Sequence, residues 1–371
     1  MVRVHSPQLV VIFLFDKGLL GIYNKGIGFI PHNITMFIFF VMLTVLQDSA
    51  KTQQPVASGK LTTNEFDSVV CRGLRYAYQE KYPEAFETFF TLSCTAPENP
   101  LPYLFIAGIY GLYINDFSTD TLKDKLLAYC DTTINLAKKQ IKKDKNSAIL
   151  HLCLGGGHGL KSFCDVTSDK LVSGIQDALS GVGEFSKALE LDSSLADAYI
   201  GVGAYDYFKY RMLFLMPWAR DSQWEEEIKT AGSKSKYLSV LAKAGYAGLL
   251  TEEKRFDEAV AVSSELIDSF PESRTFRWLR VKALVGDKNW KNARTDYEKL
   301  LELTLAGQPG NLYNESCCRI GLAEALFALG KKEACKKQCE EIITLPPNSK
   351  IKKTKERAKN LYKKLLTNNK D

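Results

Sequence analysis

A glycine-rich stretch in the middle of the chain comes closest to a ligand-binding motif. Residues 155–162 read Gly-Gly-Gly-His-Gly-Leu-Lys-Ser, and a phosphate-binding loop has a similar order because its backbone N–H groups surround a phosphate. That loop needs glycine directly before the lysine, where this chain has Leu160, and it follows a strand, whereas residues 151–154 have a helical pattern. The sequence therefore predicts glycines that pack inside a helix.

Two histidines in and beside this stretch have the residue type that most often binds metals. His151 and His158 are seven residues apart, so they share one face of a helix. They lack an accompanying set of acidic or cysteine ligands in the sequence, and the whole chain has only four histidines. We interpret both as packing or groove residues rather than as metal ligands.

Four cysteines near the C-terminus could meet in space. Cys335 and Cys339 are four residues apart on one predicted helix, and Cys317 and Cys318 lie on its antiparallel partner. Zinc takes four such ligands in a tetrahedron, but the usual two-residue spacing is missing and adjacent cysteines point in different directions. We therefore predict thiols that pack in the core.

The rest of the sequence offers little that points to catalysis. It contains no His-Glu-x-x-His, Gly-x-Ser-x-Gly or dinucleotide-binding glycine motif. The 371 residues are 45% hydrophobic and 25% charged, as in folded proteins, and the net charge of +6 is too slight to demand nucleic acid. We predict a protein that is not an enzyme, has no cofactor or bound metal, and has no nucleic-acid partner.

The first fifty residues differ in composition from the rest. Residues 37–46 form an uncharged apolar run of the length of a signal-peptide core, and residues 9–15 form a second run. We predict that residues 1–50 are a signal or anchor segment (with translation from Met36 as one version of the signal) and that residues 51–61 are a linker. The protein is thus expected to be exported or membrane-anchored through its N-terminus. Nine unpatterned cysteines are unusual for an oxidised exported protein, which keeps a cytoplasmic location open.

The elements that position these residues are helices, and they repeat. From residue 62 onward apolar residues recur at helical spacing, and a constant shift along the chain places Trp290 on Phe256 and Ala293 on Ala259. The same template fits the beginning and the end of this region. It predicts seven antiparallel helix pairs at residues 66–97, 101–140, 147–192, 196–235, 238–271, 274–305 and 313–346.

The pattern resembles that of the tetratricopeptide repeat (TPR) family. The resemblance implies an all-α fold, a right-handed α-solenoid of about seven helix pairs over residues 62–349. Small residues such as Gly73 and Ala85 stand where two helices of a pair cross, and Pro97 ends a second helix. Residues 350–371 are predicted to be a basic capping helix and tail. Its inward-facing residues are Ile351, Ala358, Leu361 and Leu365.

The resemblance also implies a function and a site. Members of the family bind an extended peptide or a partner helix in a concave groove lined by the first helices of the pairs. The matching positions here are Asp67, Val70, Leu74, Tyr78, Asp197, Ile200, Tyr207, Phe208, Trp278 and Lys282. Tyr207, Phe208 and Trp278 are expected to contribute most, because rigid aromatic side chains dominate many interfaces. The prediction is a non-catalytic scaffold for a protein or peptide partner.

Alternatives remain open in the less regular regions. An enzymatic or enzyme-accessory site would lie in the middle repeats, at His151–Lys161 and Tyr205–Trp218. Within the latter, the apolar residues 210–218 fit either a loop over the core or a partner or membrane contact. Residues 331–371 contain 13 Lys and Arg against 5 Asp and Glu, which we interpret as a solvated cap rather than as a lipid or nucleic-acid contact.

Overall fold

A computed structural model describes residues 62–168, 170–212 and 223–367. Every regular element in these ranges is helical, and fifteen α-helices follow one another along the chain. They are α1 (Thr63–Tyr78), α2 (Tyr82–Thr95), α3 (Pro100–Phe117), α4 (Lys123–Ile141), α5 (Ala148–Thr167), α6 (Leu171–Leu191), α7 (Tyr199–Met212), α8 (Trp224–Lys234), α9 (Ser239–Glu252), α10 (Phe256–Ser269), α11 (Arg274–Gly286), α12 (Trp290–Gly307), α13 (Leu312–Ala328), α14 (Lys332–Thr344) and α15 (Lys352–Thr367). Helices α1 to α14 form seven consecutive pairs, so the predicted all-α solenoid of seven pairs is confirmed. The predicted signal and linker segments, residues 1–50 and 51–61, lie outside the described residues.

The turn inside four of the pairs has the same backbone geometry. Glu80, Lys254, Lys288 and Gly330 each have a φ of about +60 to +68°, and each follows the cap of a first helix. The next residue donates its N–H to a carbonyl of the last helical turn, as Lys81 does to Tyr76 at 2.9 Å. This arrangement satisfies carbonyls that the helix end leaves free. Lys254 and Lys288 are related by the same shift that places Trp290 on Phe256, so the sequence period is also a structural period.

Small residues occupy the helix crossings because nothing larger fits. A Cβ atom on Gly73 of α1 would lie 2.6 Å from the ring of Phe89 on α2, and one on Gly321 would lie 2.2 Å from Tyr297. Ala85 of α2 has no exposed surface. Contacts this short force the backbone or a packed ring to move. The physical reason given above for the repeat pattern is therefore confirmed at these crossings.

The glycine-rich stretch lies inside helix α5, as the packing interpretation predicts. Gly155 faces Phe185 of α6, Gly156 faces Leu104 of α3, and Gly157 faces Ile134 of α4, each at 2.8 to 2.9 Å from where a Cβ would lie. Helix α5 thus approaches three neighbouring helices closely. The glycines serve helix packing, and no phosphate loop is formed at residues 155–162.

First helices of successive pairs contact one another: α1 with α3, α3 with α5, α5 with α7, and α9 with α11. Helix α13 contacts the capping helix α15 in the same way. The solenoid therefore bends toward its first helices, which form the inner face. Helix α15 closes the C-terminal end with Ile351, Ala358 and Leu365 buried. In the part of the chain that the structure describes, no helix is both long enough and apolar enough to cross a bilayer.

Candidate binding surface on the inner face

The inner face of the first two pairs is covered by the C-terminal half of the protein. Val70, Leu74 and Tyr78 of α1 are 0 to 5% exposed, and the Tyr78 ring packs edge-on against Phe270 at 5.6 Å between ring centroids. Phe276 of α11 lies 6.3 Å from the same ring. In this conformation α1 therefore contributes to the core. A binding role for Val70, Leu74 and Tyr78 stays a prediction, and it would require the two halves to separate.

Polar contacts run along the line where the halves meet, which we name the closure seam. On one side lie residues of pairs 1 and 2, and on the other side lie the segments that begin α9, α11, α13 and α15. The seam consists of Asp67, Glu80, Asp116 and Ser118 facing Lys236, Tyr237, Ser273, Arg274, Gln308, Asn311, Asn314 and Lys350. The two sides are distant in sequence, as Asp116 and Arg274 are 158 residues apart, so the seam joins the ends of the repeat array.

The centre of the seam is a buried group of charges. Arg274 donates to both oxygens of Asp116, from Nε at 3.0 Å and from Nη2 at 2.6 Å. Its Nη2 also lies 2.9 Å from Glu80 Oε2 as an ion pair without hydrogen-bond alignment. Tyr82 donates its hydroxyl to Asp116 at 3.1 Å. Two-point contact between guanidinium and carboxylate fixes orientation as well as supplying energy.

Two carboxylates share one guanidinium at this centre, and the pKa of one of them, Glu80, is raised. Burial, and then the charge of Asp116, raise the pKa of Glu80 to about 8 despite the opposing effect of Arg274. The other Glu80 oxygen accepts from the Ser273 hydroxyl at 3.1 Å and the Thr275 N–H at 2.9 Å, both at the start of α11. Glu80 thus holds one proton around neutral pH and caps a helix of the opposite half.

Amide side chains at the start of the last pair donate hydrogen bonds to the carbonyl groups at the end of α3. Gln308 and Asn314 donate to the Asp116 carbonyl at 3.1 and 2.5 Å, and Asn311 donates to the Phe117 carbonyl at 3.0 Å. Lys350, just before α15, donates to the Ser118 carbonyl at 3.0 Å. The carbonyls at a helix C-terminus have no partner in their own helix. The C-terminal half therefore completes α3 and holds the inner face of pairs 1 and 2 closed.

A small apolar cavity remains behind the seam, between α1, α3, α5 and α9. Its volume is about 40 Å³, and its walls include Leu74, Phe105, Leu160 and Leu241. A dry cavity that accepts benzene is roughly 150 Å³, so this one is too small for a ligand of that size. The inner face of the first three pairs is filled by the protein's own side chains.

Pairs 4 to 6 present a different surface, which we name the inner patch: Phe208 and Arg211 of α7, Glu252 and its neighbour Glu253 at the end of α9, and Lys282 of α11. Tyr207 donates to Glu253 at 2.9 Å, and Arg211 lies 3.1 Å from the same carboxylate with 51% of its side chain exposed. Phe208 is one of the few large apolar side chains exposed in the described ranges, at 36%. Helix α7 thus has an exposed ring and an accessible guanidinium, and its Arg211 and Tyr207 reach the end of α9.

The charges of the inner patch are not fully solvated. Burial lowers the pKa of Lys282 to about 8, with Glu252 opposing the shift, and Lys282 is half-buried. Burial also raises the pKa of Glu252, which Arg211 and Lys282 oppose. Charged groups with reduced hydration lose less water on binding, so they can pair strongly with an incoming group.

The other predicted groove residues are buried or half-buried against the protein's own residues. Asp197 is 1% exposed and accepts the backbone N–H groups of Lys236 and Tyr237 at 3.3 and 2.8 Å. Ile200 is equally buried. Trp278 is half-buried and packs edge-on against Tyr297 at 5.9 Å. Asp67 lies in the closure seam, where Lys236 and Tyr237 both donate to it.

The structure thus brings two of the ten predicted residues, Tyr207 and Lys282, to the glutamates at the end of α9, and Phe208 follows Tyr207 on the same helix with its ring exposed. Sequence reasoning missed Glu252 and Glu253, and it placed Arg211 in the alternative Tyr205–Trp218 stretch and not among the groove residues. Arg211 follows Phe208 by three residues, so helical spacing alone could have placed the two side by side. The two glutamates lie where one helix ends, and their contact with a neighbouring pair becomes visible only in three dimensions.

The two histidines of α5 contact carboxylates, and the cysteines are free thiols. His151 and His158 of α5 lie 2.6 Å from Glu184 and 2.7 Å from Asp177 of α6, so they hold the two antiparallel helices together. All nine cysteines are free thiols, and Cys318, Cys335 and Cys339 are buried in the C-terminal core. Over the described residues, no group of three or more His, Cys, Asp or Glu could hold a metal ion. Residues 213–218 of the predicted Tyr205–Trp218 stretch lie outside the described ranges.

Comparison with known proteins gives similar solved structures. No protein-family model and no curated protein matches this chain. The solved structures to which it is similar include YrrB, a TPR protein described as having an unusual peptide-binding site, at 16% identity over 60% of this chain and 97% of that chain, with a TM-score of 0.43. The C-terminal part of a TPR protein from Cytophaga hutchinsonii matches at 16% identity over 78% of this chain and 98% of that chain, with a TM-score of 0.44. A TPR protein from Parabacteroides merdae matches at 13% identity over 81% and 98%, with a TM-score of 0.34.

The predicted resemblance to TPR proteins is confirmed for the fold. These TM-scores are below 0.5, so the assignment depends on this chain's own helix pairs, its repeated left-handed turns and the small residues at its crossings.

Proposed function

We propose that this chain is a non-catalytic repeat scaffold that binds a protein or peptide through the inner patch of pairs 4 to 6. One observation carries the proposal: helix α7 holds the exposed ring of Phe208 three residues before Arg211, which reaches Glu253 at the end of α9, while the inner face of pairs 1 to 3 is covered by the protein itself. An accessible aromatic ring on the same helix as an accessible guanidinium has the composition of a binding hot spot.

The chemistry of the patch favours a partner segment with both an apolar side chain and charges of both signs. Phe208 offers apolar area, Arg211 and Lys282 offer cations, and Glu252 offers a carboxylate. Mixed charges select a partner by register more than they add affinity. A setting outside the cytoplasm or at a membrane is part of the proposal, and the apolar residues 37–46 support it.

The test is a photo-crosslinked pull-down from the source cell with the full chain. Phe208→Ala combined with Lys282→Met removes the ring and the ammonium of the inner patch, and we expect recovery of the partner to fall at least about tenfold, since truncating a hot-spot side chain costs roughly 2 kcal/mol or more. The matched control is Leu305→Ala, which removes an apolar side chain that is 46% exposed on the second helix α12.

Circular dichroism and thermal unfolding of each variant show whether the fold is intact. A partner that is recovered equally well by the double variant and by the wild-type chain would exclude the inner patch as the binding surface. Loss of the partner in the Leu305→Ala control as well would point to the outer face instead.

A further inference from the structure

The exposed face of the last helix is a strip of unpaired positive charge, which we name the lysine face. It consists of Lys352, Lys353, Lys359, Lys363 and Lys364 of α15, all of them exposed. These positions span twelve helical steps, or roughly 18 Å at the usual rise. Glu356 is the one acidic residue of α15, so the strip keeps a large excess of positive charge.

Some lysines elsewhere on the surface have carboxylate partners. Lys139 pairs with Glu98 at 2.9 Å, and Lys243 pairs with Glu265 at 2.9 Å. On α15 the residue that forms such a pair is Arg357, with Glu324 at 2.6 Å. The five lysines of the lysine face have no ion-pair partner among the described residues.

Two other basic residues near the strip are used inside the protein and do not add to it. Lys355 points toward α14, where its ammonium donates to the carbonyl groups of Ile343 and Leu345. Lys336 of α14 lies over the ring of Tyr362 at 6.0 Å. These contacts hold the cap to the solenoid. Within the lysine face like charges repel, as in the i,i+4 pair Lys359 and Lys363, and Glu356 is the one acidic residue of α15 that offsets this repulsion. Such a strip suits an external anion.

The chemistry of the strip distinguishes between kinds of anion. Nucleic-acid surfaces combine cations with aromatic rings that stack on bases, but the one ring of α15, Tyr362, is half-buried against the C-terminal core. Protein interfaces are centred on buried apolar anchors, whereas the one large apolar side chain exposed on α15 is Leu366, at the end of the strip. A diffuse positive strip without an anchor fits a diffuse negative surface. Clusters of four to eight Lys or Arg on a helix bind anionic lipid headgroups in this way.

The end of the same helix adds a weak apolar contact. Leu366 is 51% exposed, shortly after Lys363 and Lys364. An apolar side chain beside a basic strip can enter the headgroup region while the lysines stay at the phosphates. We propose that the lysine face docks the C-terminal end of the solenoid on a membrane surface rich in anionic lipid.

The test measures binding of the full chain to vesicles of phosphatidylcholine alone and of phosphatidylcholine mixed with phosphatidylserine, by flotation at low and high salt. The test variant has glutamine in place of lysine at positions 352, 359, 363 and 364. The charge-matched control has glutamine in place of lysine at positions 125, 138, 142 and 145, which are exposed on or just after α4. Any insertion of residues 37–46 would act on both kinds of vesicle, so the difference between them reports on charge.

We expect the wild-type chain and the control to prefer the phosphatidylserine vesicles, with binding that weakens as salt rises. The test variant should need more than about tenfold more lipid, because each lysine near such a surface contributes on the order of 1 kcal/mol. Equal binding of the wild-type chain to both kinds of vesicle would overturn the proposal. So would an equal loss in the control, or a single-stranded oligonucleotide that binds through the same lysines while vesicles do not.

Discussion

The inner face of pairs 1 to 3 and the inner face of pairs 4 to 6 are built from the same element, the first helix of a repeated pair, yet they have opposite characters. In the first region Leu74 and Tyr78 are buried under the C-terminal half. In the second region Phe208 and Arg211 remain accessible. The difference arises from the closure seam, which joins the ends of the array over one part of the inner surface and leaves the other part uncovered. Equivalent repeat positions can therefore be core in one place and exposed surface in another.

The largest expected effect comes from breaking the centre of the closure seam. Arg274→Ala leaves Asp116 and Glu80 buried without their cation, and a lone charge left by a broken buried pair costs roughly 3–5 kcal/mol. Urea unfolding at pH 7 measures the loss. The control is Arg294→Ala, whose pair with Glu298 is about half-exposed and is worth roughly 0–1 kcal/mol. Equal losses in the two variants would mean that the seam does not hold the halves together.

An effect of intermediate size distinguishes the two regions. The same substitution, glycine to alanine, should lower the stability in one region and raise it in the other. Gly73→Ala places a methyl group 2.6 Å from the fully buried ring of Phe89, and overpacking of this kind destabilises by roughly 1–3 kcal/mol. Gly248→Ala, in α9, meets nothing within 4 Å, so it should stabilise by roughly 0.5–1 kcal/mol through helix propensity. Thermal unfolding of the two variants checks both signs. A destabilised Gly248→Ala would show that the inner face near the patch is packed as tightly as the crossing at Gly73.

The sequence was sufficient to predict what depends on neighbours within one repeat. Gly73 against Phe89, and the buried Ala85, follow from contacts between helices that are adjacent in the chain, so their spacing repeats and can be recognised. The pair boundaries were predicted for the same reason. His151 and His158, interpreted from the sequence as packing or groove residues, contact carboxylates on the next helix.

The closure seam could not be predicted from the sequence, because it depends on the curvature of the whole array. Asp116 and Arg274 are 158 residues apart, and no short motif connects a helix C-terminus with the start of a helix four pairs later. Small changes in the angle at each crossing add up along the stack and decide which repeats meet. The same accumulation decides that Tyr78 is covered while Phe208 is exposed, although both occupy predicted groove positions.

The contribution of the closure seam to stability should also depend on pH, with a smaller effect than that of Arg274→Ala. The folded-state pKa of Glu80 is about 8, raised by burial from 4.5, so the folded state favours the protonated acid. Its contribution is most favourable below pH 4.5 and is lost as the pH rises from about 4.5 to about 8. Glu80→Gln cannot ionise, so its unfolding free energy relative to wild type should increase across this range. Urea unfolding from pH 5 to 9 measures it, with exposed Glu298→Gln as the control.

A substitution in the inner patch should show the opposite trend with pH. The unfolding free energy of the variant relative to wild type should fall as the pH rises. Burial lowers the folded-state pKa of Lys282 from 10.5 to about 8, so the folded state disfavours the ammonium. The resulting loss of stability is fully present below about pH 8 and disappears as the pH rises to about 10.5. Lys282→Met keeps the length of the side chain and removes its charge, so its unfolding free energy relative to wild type should be largest below pH 8 and should decline toward pH 10.5.

The charge that Lys282 retains at neutral pH is expected to matter for binding rather than for folding. Its effect on stability is smaller than burial alone would give, because Glu252 offsets part of the shift. Exposed Lys243→Met serves as the control, since its pair with Glu265 lies at the surface. A Lys282→Met variant whose pH profile is parallel to that of wild type would show that the ammonium is as well solvated as that of Lys243. The inner patch would then lack the partly desolvated cation that distinguishes it from an ordinary stretch of surface.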